Sequence, residues 1–132
     1  MDKLTDRIIC CAFTVSNTLG AGFLEKVYEN ALAHELSKRE LTVQQQVPVP
    51  VFYDGVIVGE YYADILINGQ VIVELKASKA LDAVHLAQCM NYLKATGLKV
   101  CLLLNFGNAK VEIKRVVNGY ERAEEYSSTT TF

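Results

Sequence analysis

Asp64, Glu74 and Lys76 are the residues of this chain whose types and spacing could do chemistry. They stand in two segments, 61–67 and 71–77, that are otherwise almost wholly apolar. Strand side chains alternate between faces, so Glu74 and Lys76 project from the same side. Charges are seldom fully buried unless paired or bound to a metal. Two carboxylates can hold a hard divalent cation. A lysine beside them can deprotonate water as its neutral amine, or orient water and steady a developing negative charge as its ammonium. That chemistry is metal-dependent cleavage of a phosphodiester. Taken alone, Glu-x-Lys is an ordinary surface ion pair worth ~0–1 kcal/mol, so the case rests on what stands around it.

The elements that must position these residues follow from periodicity. Leu4, Ile8, Cys11, Ala12, Val15 and Leu19 recur at helical spacing and predict a helix over 4–18. Gly20-Ala21-Gly22 interrupts it, and a second helix is expected over 24–39 with Tyr28, Ala31, Leu32 and Leu36 as its apolar stripe. The period then changes to two. Segment 44–53 reads as a strand, placed at an edge by Pro48 and Pro50, which cannot donate to a ladder. Asp54-Gly55 and Asn68-Gly69 are hairpin turns, giving an antiparallel meander of 44–53, 56–67 and 70–77. Ala83, Leu86, Ala87, Met90 and Leu93 predict a helix over 81–95, stopped at Gly97. Residues 100–105 form an uninterrupted apolar strand suited to a central position, and 109–117 a last, exposed strand. The expectation is one domain over 1–120, in the order α-α-β-β-β-α-β-β, with 121–132 as a flexible tail.

Whether Asp64 and Glu74 can share a site is a question of parity. A two-residue turn at Asn68-Gly69 would set Asp64 opposite Val73, pointing away from Glu74. An odd loop, Ile67-Asn68-Gly69, built as a type I turn with Gly69 left-handed, restores a common face. That register puts Asp64, Leu66, Ile72, Glu74 and Lys76 together, and Ala63, Ile65, Ile67, Val71, Val73 and Leu75 on the other side. The second set is entirely apolar, which supports the odd loop independently. Glu25 shares a helical stripe with Tyr28, Leu32 and Leu36, so it could supply a third carboxylate. Leu81, His85, Gln88 and Tyr92 are spaced four, three and four along the third helix. Gln88 and Tyr92 could contact a phosphate, a base or the acids. For His85 an ordinary half-buried histidine weighs slightly more than a role beside them.

The composition bounds the partners. The chain has 132 residues, 51% of them hydrophobic, enough for one core. With 13 basic and 15 acidic residues, no global positive field draws in nucleic acid, so such binding must use a local patch. Lys79, Lys94, Lys99, Lys110, Lys114 and Arg115 are candidates for a basic rim, which a homodimer would double. Cys10, Cys11, Cys89 and Cys101 lack a C-x-x-C pair and read as small buried hydrophobes in a reducing compartment, against a redox or metal-storage protein. The first residues are unlike a signal peptide, and no apolar run approaches ~18 residues. A cytoplasmic protein without a membrane span is expected.

The assembled pattern resembles the PD-(D/E)xK nuclease superfamily, especially its RecB-like exonuclease branch. The residues that carry it are Glu25, Asp64, Glu74-Leu75-Lys76 and Gln88-Cys89-Met90-Asn91-Tyr92. More narrowly, Gly22-Phe23-Leu24-Glu25-Lys26-Val27-Tyr28, with 92–99 and Leu104-Asn105-Phe106-Gly107, is similar to the small prokaryotic GxxExxY proteins. The resemblance implies a restriction-endonuclease-like α/β core, a mixed central sheet flanked by helices. It also implies Mg²⁺ or Mn²⁺ held by Asp64, Glu74 and the Leu75 carbonyl with Glu25 assisting, and Lys76 acting on the attacking water or the scissile phosphate. Gln88, Tyr92 and His85 would orient substrate. Nucleic acid, DNA or RNA, is the expected partner, delivered by a second protein where the usual accessory domains are absent. The alternative is a catalytically silent nuclease-fold module that binds nucleic acid or protein.

Overall fold

The computed structural model describes residues 2–118 and 123–126. Its elements are α1 (Asp2–Leu19), α2 (Glu25–Lys38), β1 (Val43–Tyr53), β2 (Val56–Ile67), β3 (Val71–Lys76), α3 (Ala83–Thr96), β4 (Val100–Asn105), β5 (Glu112–Val117) and β6 (Ala123–Tyr126). The six strands lie in sequence order. β3 and β4 are parallel and joined through α3, and every other neighbouring pair is antiparallel. This is the mixed α/β sheet flanked by helices that the sequence implies.

Three layers bury the apolar faces. From α1 and α2, Ile8, Cys11, Tyr28, Leu32 and Leu36 pack on Ile65, Ile67, Val71, Val73 and Leu75 of the sheet. From α3, Cys89, Tyr92 and Leu93 pack on the opposite face against Ile72, Cys101 and Leu103. Each such side chain contributes about 1.5–3 kcal/mol when fully buried. β4 is buried at every position, and that is why its sequence shows no polar alternation. β1 is an edge strand, as Pro48 and Pro50 require.

The structure departs from expectation at the C-terminal side. β5 begins at Glu112 rather than near 109, because the Val111 N–H donates to Ser16 Oγ of α1 at 3.0 Å instead of entering the ladder. It is not an exposed edge either. β6 pairs along it from Ile113↔Tyr126 to Val116↔Ala123, and Ile113 and Val116 are buried. Four residues of the expected tail are therefore a strand, and the rest of 121–132 lies outside the described residues.

All four cysteines are free, with Cys11, Cys89 and Cys101 buried and Cys10 half-buried. Burial pushes the Cys11 and Cys101 thiols above the ordinary range, which keeps them protonated and unreactive. Among the described residues no helix is long and apolar enough to cross a membrane.

Candidate functional site

The β2–β3 hairpin settles the parity. Ile65 faces Val73, Leu66 faces Ile72 and Ile67 faces Val71, so Asp64 and Glu74 fall at matching positions on the two strands. The odd loop is Asn68-Gly69-Gln70, one residue later than expected. Gln70 N–H donates to Ile67 O at 2.9 Å, and Asn68 (φ 53) and Gly69 (φ 64) are both left-handed. Two left-handed central residues belong to a type I′ turn, not the expected type I. Asn68 tolerates that conformation while its Oδ1 accepts the Thr42 N–H at 2.8 Å, which ties the turn to the start of β1.

Beyond Ile65↔Val73 the two strands part, and parting leaves backbone N–H groups without ladder partners. The carboxylates take those places. Glu74 Oε1 accepts the Asp64 N–H at 2.9 Å, and Asp64 Oδ2 accepts the Leu75 N–H at 2.9 Å. Each acid thus closes the other strand. This reciprocal clip fixes both side chains at the mouth of the split.

Ionising both acids there is costly. Glu74 is 3% exposed, and burial, then the charge of Asp64, pushes its carboxyl up to about 8. Asp64 is also raised, by burial above all, against the pull of the Leu75 N–H. Like charges at close range resist ionising together. Lys76 is half-buried at the end of β3, forms no ion pair among the described residues, and pulls both acids downward through space. The site is a hard-oxygen pair with one amine close enough to be felt by both.

The helix carboxylate that approaches this pair is Glu29, not Glu25. Glu25 opens α2 exposed to solvent, whereas Glu29 is 4% exposed. Gln46 Nε2 donates to Glu29 Oε1 at 2.9 Å and to Asp64 Oδ1 at 3.3 Å, bridging the two acids. Gln45 and Lys26 hold Glu29 Oε2 at 2.8 and 3.1 Å. Gln46 reaches both because its backbone is left-handed (φ 52), in a gap of the β1–β2 ladder between Gln45↔Ile65 and Val47↔Ala63. The same irregularity turns Ala63 into the cluster of Val49, Ile72 and Tyr92, away from the face expected for it. A non-glycine residue held there costs about 1–3 kcal/mol. Among the described residues no three His, Cys, Asp or Glu side chains stand in metal-binding geometry.

The third helix divides the remaining candidates. Gln88 Nε2 donates to Tyr92 Oη at 3.2 Å, and Tyr92 Oη donates to Tyr62 O at 3.2 Å, two residues before Asp64. Burial and the charges of Glu74 and Asp64 raise the Tyr92 phenol, so it remains a donor. His85 belongs elsewhere. It is the N3 residue of a capping box in which Asp82 Oδ1 accepts the Val84 N–H at 3.0 Å, and His85 Nδ1 accepts the Asp82 N–H at 3.2 Å. It shares a stripe with Gln88 and Tyr92 by spacing, but its ring is held at the cap.

Two further groups were not foreseen as supports. Tyr28 Oη donates to Gly20 O at 2.6 Å and accepts the Phe23 N–H at 3.2 Å, while its ring stacks on Phe106 at 4.7 Å. It fastens the glycine loop between the first two helices. Asn105, fully buried, accepts the Ser78 and Gly107 N–H groups at 3.0 Å each and donates to Ser78 O at 2.9 Å. This holds the chain just past Lys76. A Cβ on Gly107 would overlap the Ser78 backbone, so only glycine fits there.

Among the expected basic rim, Lys79, Lys94, Lys99 and Lys110 are exposed. Lys114 and Arg115 are half-buried neighbours on β5, so strand alternation sends them to opposite faces. No curated protein and no solved structure matches the chain. The description of the PD-(D/E)XK nuclease superfamily matches residues 2–116, across both clipped acids, Lys76 and the three helices. That match spans most of the chain, and the chain belongs to the PD-(D/E)XK nuclease superfamily.

Proposed function

We propose that this chain is a nuclease dependent on a divalent metal, Mg²⁺ or Mn²⁺, that hydrolyses phosphodiester bonds of DNA or RNA. The observation that carries this is the Asp64–Glu74 clip at the mouth of β2 and β3 with Lys76 two residues past Glu74 on β3. The donor set fits a hard cation. Both acids are carboxylates, Glu74 Oε2 makes no hydrogen bond among the described residues, and ionising the pair is unfavourable until positive charge arrives. Asp64, Glu74 and the Leu75 carbonyl would hold it. When bound, such an ion acidifies water and polarises a phosphoryl oxygen.

The chain's own residues then have distinct tasks. Lys76 offers its ammonium to the attacking water or to a phosphate oxygen that gains charge as the P–O bond breaks. Gln46 holds Asp64 Oδ1 and links it to Glu29, so Glu29 acts as a positioning residue through Gln46. Tyr92, steadied by Gln88, fixes the β2 backbone at Tyr62. The order of these groups along the chain supports the RecB-like branch and the GxxExxY group as the nearer kin. Delivery of substrate by a partner protein accords with a chain in which acids outnumber bases, and a cytoplasmic setting belongs to the same reading.

One observation favours a second reading, a silent module that binds nucleic acid or protein. Asp64 Oδ2 and Glu74 Oε1 are already engaged with backbone N–H groups, and a structural clip would need no metal. Assays of the purified chain with Mg²⁺ or Mn²⁺ on single- and double-stranded DNA and RNA separate the two. Hydrolysis that falls at least ~100-fold in Asp64→Asn supports the nuclease. Activity equal in wild type and Asp64→Ala contradicts it.

A further inference from the structure

The first hairpin runs past the sheet. β2 pairs with β3 only over 65–67, so residues 56–62 and their β1 partners stand as a two-stranded arm. On it Phe52, Tyr53, Val56, Ile57, Tyr61 and Tyr62 keep 51% to 74% of their surface exposed. At the arm's base an open cleft of about 340 Å³ lies against α3, lined chiefly by Val49, Val51, Tyr61, Val84, Ala87 and Tyr92. The chain thus presents both an apolar projection and an apolar recess.

We propose that the arm is a dimerisation element, with Phe52 and Tyr53 at its tip seated in the α3 cleft of a second copy, reciprocally about a two-fold axis. Charge decides against nucleic acid as the occupant. Between residues 43 and 63 the charged side chains are Asp54 and Glu60, with no lysine or arginine to meet a phosphate. Strand addition along the β1 edge is disfavoured, because Pro48 and Pro50 lie on it. The apolar surface to be covered is that of the side chains on the faces of the arm, so the partner meets the arm there. Six side chains exposed to this degree amount to several hundred Å², on the order of the ~800 Å² per partner of a stable interface. Projection and recess on one chain are what an isologous pair requires, since residue i meets j and j meets i. A cleft with room for an aromatic side chain, and an aromatic tip to fill it, make the chain its own complement.

Sedimentation of the full chain from ~1 to ~100 µM tests this, with a dimer of Kd below about 10 µM expected. Phe52→Asp with Tyr53→Asp on the arm, and separately Val84→Asp in the cleft, should each weaken the dimer at least ~100-fold. All three positions are exposed, and unchanged circular dichroism and melting show that the fold is retained. A mixture of Tyr53→Cys and Val84→Cys proteins should yield a covalent heterodimer under oxidation. Wild type that remains monomeric at ~100 µM overturns the proposal, including when it captures a nucleic-acid strand or another protein instead. A dimer that survives both sets of charged variants overturns it as well, since the interface would lie elsewhere.

Discussion

β2 has two halves that obey opposite rules. Residues 63–67 lie within the core yet carry Asp64, whose side chain closes the neighbouring strand beside a buried Glu74. Residues 56–62 lie outside the core yet carry Val56, Ile57, Val58, Tyr61 and Tyr62 in solvent. In one half charge is buried against its solvation cost, and in the other apolar surface is left wet. Both arrangements carry a solvation cost. The proposed function places an ion and a phosphate at one end, and the proposed dimer places a second copy at the other.

The sharpest way to break the comparison is to damage one half alone. Glu74→Gln should lower hydrolysis by ~100- to 10,000-fold while the sedimentation profile stays that of wild type. Phe52→Asp should abolish the dimer while each chain keeps its hydrolytic capacity. Loss of both properties in either variant would mean that the halves are not separable. Next in size is Gly107→Ala. A Cβ there meets the Ser78 backbone in the loop that follows Lys76, and a loss of about 2–4 kcal/mol is expected in urea unfolding. Unchanged stability would show that the loop can give way.

A third test sharpens the account of the buried half. In the fold the Glu74 carboxyl is pushed up to about 8, against an ordinary 4.5 in the unfolded chain. Between those values the folded state holds a proton that the unfolded state has lost. Metal-free stability should therefore be complete below the lower value, fall as pH rises at up to about 1.4 kcal/mol per pH unit, and level off above the higher one. The raised Asp64 acts in the same direction. A bound cation competes with that proton, so apparent Mn²⁺ affinity should rise by up to about tenfold per pH unit across the same window. Melting with and without Mn²⁺ reads both, and a metal-free protein that gains stability toward pH 8 would contradict the burial of Glu74. The smallest expected effect is at Gln46. Gln46→Gly removes the bridge but relaxes the left-handed backbone, so it should be more stable than Gln46→Ala by about 1 kcal/mol. Equal stability would mean that the backbone there carries no strain.

Much of this was legible because strand parity is a strong constraint. A face made of Ala63, Ile65, Ile67, Val71, Val73 and Leu75 demanded an odd loop; all but Ala63 lie there, and the odd loop, 68–70, brings Asp64 beside Glu74. What was not legible depends on geometry that periodicity does not encode. Glu25 and Glu29 are a helical turn apart and both fit the apolar stripe. Only the packing of α2 selects Glu29, although its spacing of three, four and seven from Leu32, Ala33 and Leu36 was an available sign. Gln46 gave no sign beyond a run of three glutamines in a strand, since its role needs a left-handed backbone. His85 fell on the right stripe for the wrong reason, because a residue three past a helix cap serves the cap first. β6 lay hidden in a charged segment with no alternation of its own.

The central claim is that Asp64 and Glu74 form one metal-holding pair. Calorimetric titration of Mn²⁺ at pH 8 into wild type and into Asp64→Asn and Glu74→Gln tests it most directly. The account predicts saturable binding in wild type that weakens sharply in both variants. Identical binding curves in all three proteins, or a wild type that binds none, would contradict it.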